Sequence, residues 1–398
     1  MMDRSTATPT GPLSRIRVLD MSQFILGPVA TQIMGDMGAD IIKVESPEGD
    51  ANRFIGPRQH EGMAALFLGM NRNKRSIVLD LREPEALDAL LKMAEQCDVF
   101  IHSMRPDSAV RLGVGYEALR ARNPKLIYAS APGYRSDGPK HNDPAYDDVI
   151  QGESGIAGIN MLAYGEPRYF PTVIADKFCG HVLATHISMA LLEREYSGLG
   201  QCVEVPMFES MLAFNMIEHM WTAQLDVPDG SIGYPRALMS ERRPFKTLDG
   251  YICLMATTDS QYENLFKAMG REDLIGDERF NSVTVRSERF IELYGLIGDE
   301  LAKQTNATWK ERLKIAKIPH ASARMLSELR SDPYLVETKF FQTLEHPKAG
   351  KVHTPSIAAR YSRTPGQLRM PPPTLGEHTE EILREFGLSK DVIEKIKQ

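Results

Sequence analysis

The residues best placed to do chemistry lie between Val173 and Met207, VIADKFCGHVLATHISMALLEREYSGLGQCVEVPM, where Asp176 opens an apolar helix. Phe178, Val182, Met189 and Leu192 keep one face of that helix, and Leu183, Ala184, Ile187, Ala190 and Leu191 fill the others, which predicts a helix buried around almost its whole circumference. Glu193, Arg194 and Glu195 end the apolar run, Gly198 and Gly200 supply the stop, and QCVEVPM reads as a short strand. A carboxylate at such a helix mouth has two uses. It is either an N-cap that accepts the first free backbone N–H groups, or a nucleophile, ionised at neutral pH and held rigidly by the helix behind it.

Other reaction classes find no support. The chain has no Gly-x-x-x-x-Gly-Lys-[Ser/Thr] loop for a nucleotide triphosphate, and Gly152-Glu153-Ser154-Gly155 is followed by Ile156, so it fails the nucleophile-elbow pattern. His60-Glu61 has no second histidine four residues on, and His181 and His186 are poorly spaced for one metal, so no metal is expected. Besides Asp176 there remain a polar stretch, AYDDVIQGESGIAG (145–158), and basic residues at the ends of elements: Arg72, Lys74, Arg75, Arg82, Arg105 and Arg111. Their recurrence at strand ends, where open α/β sheets bind ligands, points towards a polyanion, with plain solvation as the alternative.

The elements that must position these groups alternate. IRVLDM (16–21) is a strand, Gly27-Pro28 a turn, PVATQIMGDMG a helix closed by Gly38, and ADIIKVE a strand ending at the acidic Glu45. SIVLDL (76–81), a helix from Pro84 to Gln96, DVFIHS (98–103), a helix near Tyr116–Asn123 and KLIYAS (125–130) continue the pattern, which predicts a doubly wound, mostly parallel sheet. The opening unit resembles a dinucleotide-binding fold without its Gly-x-Gly-x-x-Gly turn, which speaks against a nicotinamide enzyme. From about Pro228 the texture changes to a hairpin turning at Asp249-Gly250, followed by helices, as in a smaller α+β domain.

The length of 398 residues favours two domains, and 42% hydrophobic with 25% charged residues is ordinary for a globular protein. A net charge of -6 gives no general attraction for nucleic acid or an anionic membrane. No apolar run reaches membrane-span length, and MMDRSTATPTGPLSR reads as a short disordered lead, not a secretion signal. Cys97, Cys179, Cys202 and Cys253 form neither CxxC pairs nor a disulfide framework, which suits a reducing cytoplasm.

Taken together, VLDMSQFILGPVATQIMGDMGADIIKVESPEGD, NRNKRSIVLDL, MRPDSAVRLGVGYEALRARNPKLIYAS, GYRSDGP, PAYDDVIQGESG, the Asp176 helix and LGEHTEEILREFGL resemble, nearly end to end, the family III CoA-transferases of the CaiB/BaiF type, which include formyl-CoA transferase. The resemblance implies an acyl-CoA:carboxylate CoA-transferase in which Asp176 is the nucleophile, passing through an aspartyl anhydride and an aspartyl-CoA thioester. It implies coenzyme A as part of the substrate and an intertwined homodimer. It also implies a large Rossmann-like domain (1–225), a small α+β domain (226–325) and a segment returning to the large domain (326–398). Coenzyme A contacts carried over are Ile25, Leu26, Leu79, Leu81, Arg82, Met104, Arg105, Arg111, Pro144, Ala145 and Tyr146. Departures from formyl-CoA transferase are Ile25 where that enzyme has glutamine, Ser46 where it has arginine, and GSIGYPRALMSERR in place of its glycine-run lid; they disfavour formyl or oxalyl substrates and leave a larger acid, such as a dicarboxylate engaging Arg236, Arg242 or Arg243. The alternative reading is an α-methylacyl-CoA racemase of the same fold. That enzyme's histidine falls at Tyr146, and an ordinary tyrosine, with a pKa of about 10, is a poor proton shuttle.

Overall fold

Strands and helices alternate from Arg17 to Glu204 because apolar residues with period two in the strands meet helices of matching length between them. The computed structural model describes residues 10–397. Of the segment expected to be a disordered lead, residues 1–9 lie outside the described residues. Its remainder is ordered: Gly11 is buried, and Leu13 donates its N–H to the Met37 carbonyl at 2.9 Å.

Six strands form one parallel sheet: β1 (Arg17–Asp20), β2 (Asp40–Glu45), β3 (Lys74–Val78), β4 (Val99–His102), β5 (Ile127–Ser130) and β6 (Cys202–Glu204), in the order β3-β2-β1-β4-β5-β6. This doubly wound order reverses at β1, with β2 on one side of it and β4 on the other, and opens a crevice beyond the strands' carboxyl ends. Alternation sends Val18, Ile41, Val99, Ile101, Ile127 and Ala129 to one face, against the helices Leu26–Asp36 and Ile174–Ser197. The other face takes Leu19, Ile42, Phe100 and Tyr128 against the helix Pro84–Ala94, together with Ile382, Leu383, Phe386 and Ile393 from the tail.

The chain divides into two compact units: one of residues 1–156, 169–215 and 333–398, the other of residues 157–168 and 216–332. The second unit pairs Phe245–Lys246 with Tyr251–Leu254 as the expected hairpin and adds His320–Ser322, all antiparallel, beneath helices that bury Leu265, Phe266, Ile297 and Trp309. The first unit also holds an antiparallel pair, Phe341–His346 with Gly350–Pro355.

Two glycines set close approaches. The expected turn at Gly27-Pro28 is instead the first turn of the helix Leu26–Asp36, and a Cβ on Gly27 would lie 2.1 Å from that of Ser22, so glycine there serves tight packing of the helix start. A Cβ on Gly180 would lie 2.7 Å from the Leu26 carbonyl oxygen and 3.0 Å from Val29 Cγ1, where the Asp176 helix crosses Leu26–Asp36. Since the obstacle is backbone, Gly180→Ala is expected to destabilise the first unit by about 1–3 kcal/mol, read as a lower urea midpoint; an unchanged midpoint would mean that the crossing can open.

The Asp176 helix departs from expectation in one respect. Cys179, Leu183, Ala184, Ile187, Ala190 and Leu191 are buried, but Met189 and Leu192 are 57% and 59% exposed in the single chain. It is therefore a one-faced helix with a second apolar stripe left uncovered, not a helix buried all round.

Candidate active site

Beyond the carboxyl ends of the strands lies a cleft of about 820 Å³, lined wholly by residues of the first unit. Asp176, Leu26, Leu79, Leu81, Arg82, Met104, Arg105, Pro144, Ala145 and Tyr146 line it; Ile25 and Arg111 do not. Ile25 sits at the helix N-cap, and exposed Arg111 donates to Ser108 Oγ at 3.1 Å, with Ser108 itself in the cleft wall.

The helix bearing Asp176 begins at Ile174, with Val173 at the cap. Asp176 is thus the third helical residue and not the N-cap, and no hydrogen-bond donor among the described residues holds its carboxylate. Val173 has no polar side-chain atom to cap the turn. Instead Asp147, from the helix Asp147–Glu153, accepts the Asp176 backbone N–H through Oδ1 at 3.0 Å. Burial, and secondarily the Asp147 charge, push the Asp176 carboxyl up from 3.8 to about 7. The expectation of an aspartate fully ionised at neutral pH is corrected accordingly: desolvation and a like charge outweigh the helix dipole.

The turn after β1 is built from buried charge. Phe24 takes a left-handed backbone, φ 61°, which is costly for a bulky residue. Its N–H donates to Asp50 Oδ1 at 3.3 Å, and its carbonyl accepts from Asn52 Nδ2. Lys43 joins Asp50 to the Ser22 carbonyl, with both contacts at 2.9 Å. The Phe24 ring meets Tyr146 edge-on at 5.5 Å, and both rings border the cleft. Behind the cleft-lining residues Ser103, Met104 and Arg105, His102 Nδ1 accepts the Met104 N–H at 3.1 Å while its Nε2 lies 2.7 Å from the Tyr128 hydroxyl. Burial lowers the His102 pKa to about 4, so this ring is a neutral brace for the loop 103–105.

Several basic residues expected near a polyanion have other duties. Arg72 is paired with Asp36 through two bonds at 2.9 and 2.6 Å, buried Lys74 lies 3.3 Å from Asp20, and Arg75 joins Asp40 to Glu385. Lys74 and Arg75 start β3, and a parallel strand presents its ligands at the other end. Glu45, at the end of β2, accepts from Arg53 at 2.6 and 2.7 Å, from Ser76 Oγ at 2.7 Å and from the Asp50 N–H at 3.0 Å, which leaves it no capacity for a ribose. Among the cations in the cleft, Arg82 is bound to Asp80 at 2.6 Å, and Arg105 donates to the Asn142 carbonyl at 3.3 Å. Gln23, Phe24, Ser103, Ser108 and Gly133 also line the cleft and were not singled out in the sequence; Asp147, which lines it too, was named only as part of the polar stretch 145–158. For Asp147 a signal existed: Asp147 and Gln151 stand four apart on one helix face.

The chain is 32% identical over 394 residues to a probable fatty acyl-CoA transferase, Rv3272, of Mycobacterium tuberculosis, covering 95% of this chain and 99% of that one. It is 32% identical to a succinate–glutarate CoA-transferase of Agrobacterium fabrum (94% and 96% covered) and 29% identical to a succinyl-CoA:glutarate CoA-transferase of Mus musculus (97% and 89%). The orthorhombic crystal structure of Rv3272 superposes with a TM-score of 0.81 at 32% identity, covering 94% of this chain and 99% of that one. A CaiB/BaiF family protein from Brucella suis superposes with a TM-score of 0.79 at 28% identity, over 95% and 100%. With the model of CoA-transferase family III matched over residues 13–379, this chain belongs to that family and is an acyl-CoA:carboxylate CoA-transferase.

Proposed function

We propose that Asp176 carries the CoA transfer as a covalent nucleophile. The observation that carries this reading is a carboxylate in a ligand-sized cleft, on a rigid helix, with no donor or cation among the described residues using up its lone pairs. An Asp176 oxygen attacks the thioester carbonyl of the donor; the C–S bond breaks, leaving a mixed anhydride and CoA thiolate. The thiolate attacks the aspartyl carbonyl, releasing the donor acid and forming an aspartyl-CoA thioester. The acceptor carboxylate attacks that thioester, giving a second anhydride and free thiolate. Attack of the thiolate on the new acyl carbonyl yields the product and restores Asp176. Each step trades one activated acyl group for another, so no external energy source enters the balance.

Leu79, Leu81 and Met104 fit the apolar side of a coenzyme A ligand, Arg82 and Arg105 its phosphates, and Pro144, Ala145 and Tyr146 its pantetheine arm. The acids in the names of the glutarate relatives support a dicarboxylate as one substrate. In the second unit, Arg236 is held by Tyr294 at 2.9 Å and lies 4.7 Å above Phe290, with no carboxylate paired to it among the described residues. The uncovered stripe of Met189, Leu192 and Tyr196 supports the homodimer reading. The two units correspond, on this reading, to a Rossmann-like coenzyme A domain and a small α+β domain.

The test is mass spectrometry of the CoA esters formed from succinyl-CoA, acetyl-CoA and a chiral methyl-branched acyl-CoA with a panel of free acids in deuterated water. A new ester without deuterium at its α-carbon supports transfer; deuterium in the branched thioester without acid exchange identifies the racemase. Because the carboxylate is the attacking form, kcat/KM is expected to fall as pH drops below about 7, near the raised value for Asp176. A limb near 4 in the pH profile would count against Asp176 as the group that must lose its proton.

A further inference from the structure

Asp147 is buried and anchored on three sides. Its Oδ2 accepts from Gln151 Nε2 at 2.6 Å, its Oδ1 accepts the Asp176 N–H at 3.0 Å, and it sits in the first turn of its own helix. Gln151, equally buried, accepts the Phe170 N–H at 2.8 Å and reaches the Thr172 carbonyl at 3.3 Å. Both ends of the approach to the Asp176 helix, at residues 170–172 and at residue 176, are thus fastened to one Asp147–Gln151 pair.

We propose that Asp147, braced by Gln151, is a positioning residue for the transfer reaction: its carboxylate takes the first-turn amide that a capping side chain would hold, and stands as a second negative charge beside an Asp176 carboxylate to which the described residues supply no donor. The proposal rests on Asp176 being the nucleophile. A helix start normally draws acidic side chains to its free N–H groups and makes them less basic. Here the capping duty passes to a neighbouring helix. Asp176 keeps its lone pairs for the substrate, and a more basic carboxylate is a stronger nucleophile and a poorer leaving group. The anhydride it forms is therefore less prone to expel it.

The ionisable groups around Asp176 are few. Asp147 faces it from the adjoining helix, and Cys179 lies on its own helix. Lys177 is turned away to Thr172 Oγ1, and Tyr146 and exposed Asp148 border the same cleft. The crossing helix Leu26–Asp36 brings only Asp36, at its far end and bound by Arg72.

The test compares wild type with Asp147→Asn, which keeps an oxygen for the amide and removes the charge. Two readouts are used: the acid limb of kcat/KM, and the 13C NMR titration of the Asp176 carboxyl, assigned by its loss in Asp176→Asn. Both midpoints are expected to move to lower pH by roughly one unit, the usual effect of a like charge at close range. Gln151→Met, which removes the brace, is expected to lower kcat several-fold with the KM for the CoA ester unchanged. Midpoints that stay at the wild-type pH in Asp147→Asn overturn the proposal, as does a Gln151 variant that changes KM alone. If Asp147→Asn gives no folded protein, Asp147→Ser carries the same two readouts. The NMR titration needs no turnover, so a protein that transfers no CoA would sink the functional reading and still report on Asp147.

Discussion

Replacing Asp176 with asparagine is expected to lower CoA transfer by at least about a thousandfold, the scale on which loss of a covalent nucleophile usually shows. CoA-ester binding should survive, because the cleft walls at Leu79, Met104 and Tyr146 stand on other elements. The same change is expected to make the protein more stable at pH 8. Burial pushes the Asp176 carboxyl up from the ordinary 3.8 to about 7 in the folded protein, so ionisation opposes folding as pH rises between those values. As pH falls through 3.8 the aspartate becomes protonated in both states, so the stability difference should be small at pH 4 and vanish below it. Urea unfolding at pH 4 and pH 8, beside a single-turnover assay for CoA release, checks both halves. Retained turnover removes Asp176 from the reaction, and a less stable variant at pH 8 would mean that the carboxylate has a donor in the folded protein.

The largest structural effect is expected at Arg53. Its guanidinium is fully buried, makes two bonds to Glu45, donates to the carbonyls of Gly62 at 3.2 Å and Pro373 at 3.1 Å, and lies 3.8 Å above the Phe67 ring. Arg53→Met leaves Glu45 ionised in a dry interior with its strongest partner gone. The expected loss is about 3–5 kcal/mol, which for a domain of ordinary stability means little folded protein at 37 °C. Arg53→Lys should recover only part of this, since an ammonium cannot reproduce the fork. Exposed pairs such as Arg168 with Glu166 are expected to contribute under 1 kcal/mol, so a loss that small at Arg53 would show the buried pair to be replaceable.

These buried pairs also explain what could be read in the sequence and what could not. The parallel sheet was legible because alternation within β1, β2 and β4 and the helix periods between them are local signals. So was the position of Asp176, an acid near the start of an apolar helix. Its place in the first turn was not, because the group that caps the turn comes from residue 147, and contacts of that range leave no periodic trace. Arg72, Lys74 and Arg75 were read as facing a polyanion because charge in a sequence carries no direction; their partners Asp36, Asp20 and Asp40 lie 20 residues or more away. Phe24 escaped notice since left-handed backbone is ordinarily the mark of glycine or asparagine. The exposed stripe of Met189 and Leu192 was misread as core because an apolar face looks alike whichever partner covers it.

The tail has a bearing on how the chain acquires this structure. His378 donates its backbone N–H to the Ser76 carbonyl at 2.9 Å, Arg75 reaches Glu385, and Leu383 and Phe386 fill the same core as Leu19 and Phe100. One face of the parallel sheet is thus finished by residues synthesised about 360 positions after its first strand, Leu383 against Leu19. During translation the part of that face not covered by the helix Pro84–Ala94 must wait, apolar and exposed, while the intervening residues 216–332 emerge and close their own core. Contacts of such separation make for slow folding, so the ribosome-bound sheet is the stage at which this protein is most exposed to aggregation, and a chaperone's protection matters most before residue 383 appears.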